Sequence, residues 1–245
     1  MPNATINCYP DSSQLFEAAA RTVAAELRQA ISERGHAWLA LAGGSTPKGL
    51  FRAMVSLPPE QQPDWEQVDY FFGDERDVPS DHPDANFRMA CENLLQPLGI
   101  SPARIQRVKT ELPPDEAVAD YQARLGALPQ VQGWPCFDLI LLGMGEDGHT
   151  ASLFPHSSLL NEHQAPFCHG EVSSKGARYS LTLPVLREAR QLMLLVSGSG
   201  KANTLRSVFH EPGAGLPVQQ LATARLSWFV DADAASKLSQ DCQHG

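Results

Sequence analysis

The sequence predicts an α/β protein: a single domain built on a modified doubly wound, mostly parallel sheet flanked by helices. Short apolar runs alternate along the chain with longer segments in which apolar residues recur at helical spacing. Several runs are apolar on both faces, as is typical of strands buried in a parallel sheet. Glycine turns end the runs in LALAGG, YFFGD and ILLGMG, and polar residues follow each turn. Ligands of open α/β sheets bind beyond the carboxyl ends of the strands, so these turns predict a site.

Composition narrows the class of protein. The chain shows no internal repeat or linker, so residues 1–245 are predicted to form one domain. A net charge of −9 argues against nucleic acid or an anionic membrane as a partner, because both need a basic surface. No apolar run is long enough to span a membrane, and residues 1–10 lack the pattern of a signal peptide. We therefore expect a soluble cytoplasmic protein.

The cysteines predict neither a disulfide framework nor a metal site. They are scattered, odd in number and never in a CxxC pair, which favours reduced thiols. The five positions are Cys8, Cys91, Cys136, Cys168 and Cys242.

The first helix is predicted from Asp11 or Ser12, either of which can cap it, to about Arg34. Apolar residues recur at helical spacing between these positions. Gly35 ends the helix, and residues 36–42 (HAWLALA) form the first buried strand.

The second helix is predicted to begin at Pro47, because the missing N–H of proline costs nothing at the first helical position. Residues 137–142 form a strand that is apolar on both faces except for Asp138. Residues 155–178 are the least regular segment and a candidate lid. The remaining predicted elements are a strand at 68–72, a helix at 84–95, a short strand at 105–108, a helix at 115–128, strands at 179–183 and 191–196, a helix at 201–209, a strand at 226–230 and a short C-terminal helix.

The turn after the strand at 137–142 reads GMGEDGHTAS and is the most informative stretch of the chain. Its glycines allow tight backbone turns, and Asp147 and His149 lie between and beside them. An imidazole titrates near neutral pH and a neighbouring carboxylate can hold its tautomer, so the pair suits general base catalysis. A glycine-rich turn with a solvated acid and imidazole is the alternative.

The turn after the first strand reads AGGSTPK and leads into the second helix. Gly43 and Gly44 expose backbone N–H groups, and Ser45 and Thr46 add hydroxyl donors. Exposed amides at a helix N-terminus bind anions, which the helix dipole also favours. The turn matches neither the P-loop nor the dinucleotide pattern, and its length fits one phosphate. A capped turn without a ligand is the alternative.

The strand at 68–72 is followed by GDERD, with four charged residues in succession. Such a run is usually a solvated loop, but it stands at the same sheet edge as the other two turns. Arg76 is able to bind a phosphate or stabilise an oxyanion, and Asp74 to orient a sugar hydroxyl or a basic side chain. Asn86 and Arg88, in the next helix, either face the same cleft or serve as a cap and a surface charge.

Two later cations complete the positive charge that a phosphate needs. Arg178 opens the strand RYSLTLP, and Lys201 follows the strand LMLLVSG at another strand-to-helix turn. Either one alone is typical of a protein surface. Together they supply positive charge that the acidic chain otherwise lacks.

Taken in order, the segments GGSTP, FGDERDV, SDHPDANFRMA, LILLGMGEDGHTASLFP, RYSLTLPVL and VSGSGKA resemble the 6-phosphogluconolactonase family. The resemblance runs from about residue 12 to residue 235 and implies a fold similar to that of glucosamine-6-phosphate deaminase. It implies hydrolysis of 6-phospho-D-glucono-1,5-lactone to 6-phosphogluconate in the oxidative pentose phosphate pathway. It further implies that neither a metal nor an organic cofactor takes part.

Carried over residue by residue, the resemblance implies that His149 is the catalytic base and that Asp147 lies beside it. It implies that Asp74 and Arg76 lie at the substrate. In the mechanism that we expect, Arg76 or backbone N–H groups stabilise the oxyanion. Whether Asp74 or Asp147 orients His149 is left open. The positions that the resemblance assigns to the sugar phosphate are Gly44, Ser45, Thr46, Arg178 and Lys201.

Two alternative functions remain. The related deaminases carry Asn-Glu where this chain has Leu153-Phe154, and the missing carboxylate counts against ring opening and deamination. A non-catalytic sugar-phosphate sensor of the same fold usually carries a DNA-binding helical domain, for which this chain has no basic stretch. The oligomeric state and the preference for the 1,5- over the 1,4-lactone are not determined by the sequence.

Overall fold

The computed structural model describes residues 5–173, 175–221 and 225–238. The helices of this part are α1 (Ser12–Arg34), α2 (Ser45–Val55), α3 (Asn86–Ala90), α4 (Pro114–Leu125), α5 (Leu183–Glu188), α6 (Ala202–His210) and α7 (Ala232–Ala235). Its strands are β1 (Thr5–Tyr9), β2 (Ala37–Leu41), β3 (Val68–Phe72), β4 (Asp74–Arg76), β5 (Ile105–Gln106), β6 (Gln130–Val131), β7 (Trp134–Pro135), β8 (Leu139–Gly143), β9 (Phe167–Val172), β10 (Gly176–Leu181), β11 (Gln191–Val196) and β12 (Leu226–Asp231).

Of the described strands, seven form the main sheet in the order β1-β12-β11-β8-β2-β3-β5. Every neighbouring pair is parallel, which confirms the predicted doubly wound α/β fold. Side chains of the central strand β8 alternate between two apolar clusters: Leu139 and Leu141 in one, Ile140 and Leu142 in the other. Burial on both faces explains why this strand carries no alternating polar residues.

Helix α1 has the predicted ends. The Asp11 side chain accepts the N–H of Gln14 at 2.8 Å and caps the first turn. Gly35 ends the helix with φ +74°, a left-handed conformation that glycine adopts without strain, and its N–H donates to Ile31 O at 2.7 Å.

The predicted start of helix α2 is wrong. The helix begins at Ser45, with Gly44 as its N-cap, so Pro47 is its third residue and not its first. Proline is accommodated there because the first N–H groups of a helix have no intrahelical acceptor to lose. Ser45 and Thr46 therefore belong to the first turn of α2 and not to a preceding loop.

Other predicted boundaries also differ. The helix predicted at 84–95 begins at Asn86 and changes into a π-helix over Cys91–Leu95. The strand predicted at 105–108 covers Ile105–Gln106 alone. β1 was not predicted, since it is a short edge strand in which Ile6 is the buried residue.

A second, antiparallel sheet has the order β4-β10-β9. The strand predicted at 179–183 is β10, but it begins at Gly176 and joins this sheet and not the main one. The segment predicted to be least regular contains β9, Phe167–Val172, whose FCHGEV sequence shows neither a continuous apolar run nor clean alternation. Periodicity therefore gave no indication of it.

Gly73 joins the two sheets. Its N–H donates to Leu41 O of β2 at 2.8 Å, and its carbonyl accepts the N–H of Leu181 of β10 at 2.8 Å. The small sheet is thereby held at the carboxyl edge of the main sheet, beside the three glycine turns.

In the described part of the chain no helix has the length and hydropathy of a membrane span.

Candidate active site

A cleft of about 560 Å³ opens beyond the carboxyl ends of β2, β3 and β8. The turns after these strands form one part of its wall, and β4 and β10 form another. Asp147 does not line the cleft itself but contacts His149, which does. The other predicted site residues all line it: Gly44, Ser45, Thr46, Asp74, Arg76, His149, Arg178 and Lys201.

His149 lies in a tight turn that holds its imidazole against Asp147. Oδ1 of Asp147 is 2.5 Å from Nδ1 of His149 and also accepts the backbone N–H of His149 at 3.1 Å. Because an ionised carboxylate only accepts, the contact selects the neutral tautomer that has its proton on Nδ1 and its lone pair on Nε2. Burial raises the pKa of Asp147, but the hydrogen bonds from His149 outweigh burial, and the pKa lies below its ordinary value.

Contacts with Phe154 and Gly145 also fix the His149 ring. The Phe154 ring stacks on it, with centroids 3.9 Å apart and planes 24° apart. The N–H of Gly145 donates to His149 O at 2.9 Å and closes the turn. A Cβ atom at Gly145 would lie 2.0 Å from Nδ1 of His149, so this approach requires glycine.

Asp74 lines the cleft but is largely buried, with 8% of its surface exposed. The Ser152 hydroxyl donates to its Oδ2 at 2.7 Å, and the Asn86 amide donates to its Oδ1 at 3.3 Å. The carboxylate that contacts the His149 ring is Asp147 and not Asp74. The structure thereby decides between the two aspartates that the sequence left open.

Strands β4 and β10 bring two arginines side by side. Arg178 stands opposite Arg76 in the antiparallel register, and Ser180 stands opposite Asp74. Residues two apart on a strand share a face, so both arginines and Asp74 face the cleft together. Burial lowers the pKa of Arg178, and the positive charge of Arg76 lowers it further. Adjacent guanidinium groups in a cleft are suited to binding an anion such as phosphate.

The first turn of α2 and Lys201 line the same cleft. The N–H groups of Ser45 and Thr46 have no intrahelical acceptor, and the helix dipole adds positive potential there. Gly44 precedes them with φ +102°, which a residue with a side chain rarely adopts. Lys201 ends the short 3-10 helix Ser199–Lys201 between β11 and α6. Amides and cations thus line parts of one cleft.

One residue that lines the cleft was not predicted, and the structure decides between the alternatives left open for Arg88 and Asn86. Lys175 lines the cleft in the turn between β9 and β10, where its charge close to Arg178 was the available sequence signal. Arg88 does not line the cleft; its Nε donates to Glu92 at 2.7 Å on the surface, so it is the surface charge of the two alternatives. Asn86 is buried and supports Asp74 without lining the cleft.

No metal site is visible in the described residues, where His, Cys, Asp and Glu side chains form no group of three suited to a metal ion. That the reaction needs no metal or cofactor stays a prediction.

Cys242 lies outside the described residues. Of the described cysteines, Cys91, Cys136 and Cys168 are free thiols.

Comparison with known proteins places this chain in a family. The model of the family described as glucosamine-6-phosphate isomerases/6-phosphogluconolactonase matches residues 10–228. The chain belongs to this family. A relative from Treponema pallidum named 6-phosphogluconolactonase is 40% identical over 185 residues, or 74% of this chain and 76% of the relative. One of the same name from Synechocystis sp. is 38% identical over 234 residues, or 91% of this chain and 94% of the relative.

Solved structures show the fold of both branches of the family. A 6-phosphogluconolactonase from Trypanosoma brucei superposes with a TM-score of 0.84 at 27% identity, covering 96% of this chain and 99% of that one. A monomeric glucosamine-6-phosphate deaminase superposes with a TM-score of 0.81 at 19% identity, covering 95% and 99%. Because the two branches share the fold, the site and not the fold must separate their chemistries.

Proposed function

We propose that this chain is a carboxylic ester hydrolase that converts 6-phospho-D-glucono-1,5-lactone to 6-phosphogluconate in the oxidative pentose phosphate pathway. The relatives named 6-phosphogluconolactonase support the activity. One observation carries the proposal: a single cleft contains the His149 ring, oriented by Asp147, and an anion-binding wall of Arg76, Arg178 and the start of α2.

The phosphate of the substrate binds to the cationic part of the cleft. Ser45 and Thr46 supply backbone N–H groups and hydroxyls, and Arg178 and Lys201 supply positive charge. These contacts are made by a group that does not react. Their binding energy holds the lactone carbonyl near His149 and turns the attack of water into a reaction between positioned groups.

His149 then acts as a general base. Its Nε2 takes a proton from a water molecule while the water oxygen attacks C1 of the lactone, and Asp147 stabilises the imidazolium that forms. Arg76 or backbone N–H groups stabilise the negative charge on the carbonyl oxygen. The bond between C1 and the ring oxygen breaks, and His149 returns its proton to the departing oxygen. The acid product loses its own proton to solvent.

The deaminase alternative is disfavoured at one position. Where the deaminases carry Asn-Glu, this chain carries Leu153-Phe154, which are 0% and 7% exposed. The Phe154 ring stacks on His149, so an apolar group occupies the place next to the base. No carboxylate is supplied there for the proton transfers of ring opening.

The activity is tested with 6-phosphogluconolactone generated freshly by glucose-6-phosphate dehydrogenase, with 6-phosphogluconate followed by a second dehydrogenase. Because the lactone hydrolyses unaided, the readout is the rate above background. We expect a large excess rate and no ammonia release from glucosamine 6-phosphate. Ammonia release would support the deaminase. Binding of the sugar phosphate without either activity would support the sensor.

Gly145, in the turn that holds His149, gives a further prediction. We expect Gly145→Ala to push the His149 ring aside and to lower kcat by about 10-fold or more, since small displacements of a reacting group carry penalties of this size. Gly213→Ala is the control, because a Cβ there meets no atom within 4 Å and Gly213 does not line the cleft. Steady-state kinetics of both variants test the prediction. Equal kcat values for the two would contradict it.

A further inference from the structure

Glu75 lies between Asp74 and Arg76 on the opposite face of β4 and is 2% exposed. Its carboxylate accepts three backbone N–H groups. Oε1 accepts from Arg76 at 2.8 Å and from Asn86 at 2.7 Å, and Oε2 accepts from Phe87 at 2.8 Å. The buried Glu75 side chain thus connects β4 to Asn86, which lies eleven residues later in the sequence.

Asn86 and Phe87 are the first two residues of α3. The N-cap residue, Ala85, makes no side-chain hydrogen bond to the helix. The first N–H groups of a helix need acceptors from elsewhere, and negative charge is favourable at this end. Glu75 supplies from β4 the cap that the local sequence of α3 lacks.

The capped residue Asn86 contacts two walls of the cleft. Its amide donates to the carbonyl of Asp74 at 2.9 Å and to the carboxylate of Asp74 at 3.3 Å. A Cβ atom at Gly43 would lie 1.8 Å from Oδ1 of Asn86, so the Asn86 side chain packs directly on the turn that leads into α2. The Arg76 guanidinium donates to the carbonyl of Asp84, just before α3.

We propose that Glu75 is a positioning residue: by joining β4 to the start of α3, it fixes Asp74 and Arg76 relative to the turn before α2. It touches no substrate, since it lies outside the cleft lining. The inference rests on the proposed function, in which Asp74 and Arg76 meet the substrate. Burial raises the pKa of the Glu75 carboxyl to about 7 despite its three N–H donors. A carboxyl group kept in so unfavourable a place is typical of functional sites.

Glu75→Gln tests the proposal, because the amide keeps the shape of the side chain but places an NH2 group against an N–H donor. We expect kcat/KM to fall by about 10- to 100-fold, as displaced site residues typically cause. Asp138→Asn is the matched control. Asp138 is also buried, at 5% exposed, and accepts the N–H of Trp38 at 2.9 Å at the amino end of β8, away from the cleft. We expect the control to lose stability and keep kcat/KM when assayed below its melting temperature.

A double-mutant cycle separates positioning from general destabilisation. If Glu75 acts through Asp74, Glu75→Gln lowers kcat/KM far less in the Asp74→Asn background, because coupled residues are not additive. Equal losses in both backgrounds, or wild-type kcat/KM in a folded Glu75→Gln protein, would overturn the proposal. If Glu75→Gln does not fold, Asn86→Ala takes its place, since it cuts the link to Asp74 and leaves the cap of α3 intact.

Failure of the proposed function has a different signature. If the wild type hydrolyses no lactone, the positioning role of Glu75 is tested by amide hydrogen exchange and by calorimetric titration with 6-phosphogluconate. We then expect Glu75→Gln to expose the amides of Arg76, Asn86 and Phe87 to exchange and to weaken binding of the probe. Unchanged exchange and unchanged binding would overturn the inference on their own.

Discussion

His149→Ala is expected to lower kcat for lactone hydrolysis by about 10²- to 10⁴-fold, the usual contribution of a general base. KM is expected to change little, because the phosphate contacts lie on other residues. The rate above spontaneous hydrolysis, measured against lactone concentration for both proteins, gives kcat and KM and tests both statements.

His36→Ala is the matched control for this experiment. Nε2 of His36 lies 2.9 Å from Oδ2 of Asp69, so it is also a histidine paired with an aspartate, but it stands at the amino end of β2. We expect the control to keep wild-type kcat. A His149→Ala protein with near wild-type turnover would remove His149 from the mechanism and leave the fold assignment untouched.

Arg178→Gln is expected to raise KM for 6-phosphogluconolactone by about 10- to 100-fold. A hydrogen bond to a charged group contributes about 1.5–3 kcal/mol, and each 1.4 kcal/mol is about tenfold in affinity. Hydrolysis of glucono-1,5-lactone, which lacks the phosphate, is expected to be unaffected. The ratio of kcat/KM for the two lactones, in wild type and variant, measures the phosphate contact directly.

Arg88→Gln is the control for loss of a positive charge, since Arg88 is paired with Glu92 and does not line the cleft. We expect it to leave both lactones unaffected. An equal loss on the two lactones in Arg178→Gln would assign Arg178 to the reacting carbonyl instead of the phosphate. An unchanged KM would exclude Arg178 from binding.

Some of the fold could be predicted because its signal is local. The strands β3 and β11 have the bounds expected from their apolar runs, and α1 ends at the cap and the glycine expected for it. The Asp147–His149 pair was predictable for the same reason. Its two members stand two residues apart in one turn, so their contact needs no other part of the chain.

The small sheet and the role of Glu75 were not predictable in this way. β9 carries mixed residues, and its strand conformation comes from pairing with β10. The run DERD resembles a solvated loop, yet Asp74 and Glu75 are buried because β10 covers β4 and α3 packs beside it. Side-chain burial of this kind depends on elements that are distant in the sequence.

The sequence by itself determined the α/β class, and it predicted the sheet edge of the candidate site and the residues proposed for its chemistry. Hydrophobic periodicity and glycine turns are local, and parallel strands place their carboxyl ends at one edge. Tertiary structure alone decided that Arg76 and Arg178 stand side by side and that Glu75 caps α3. These contacts join residues 102 and 11 positions apart, so local sequence patterns do not show them.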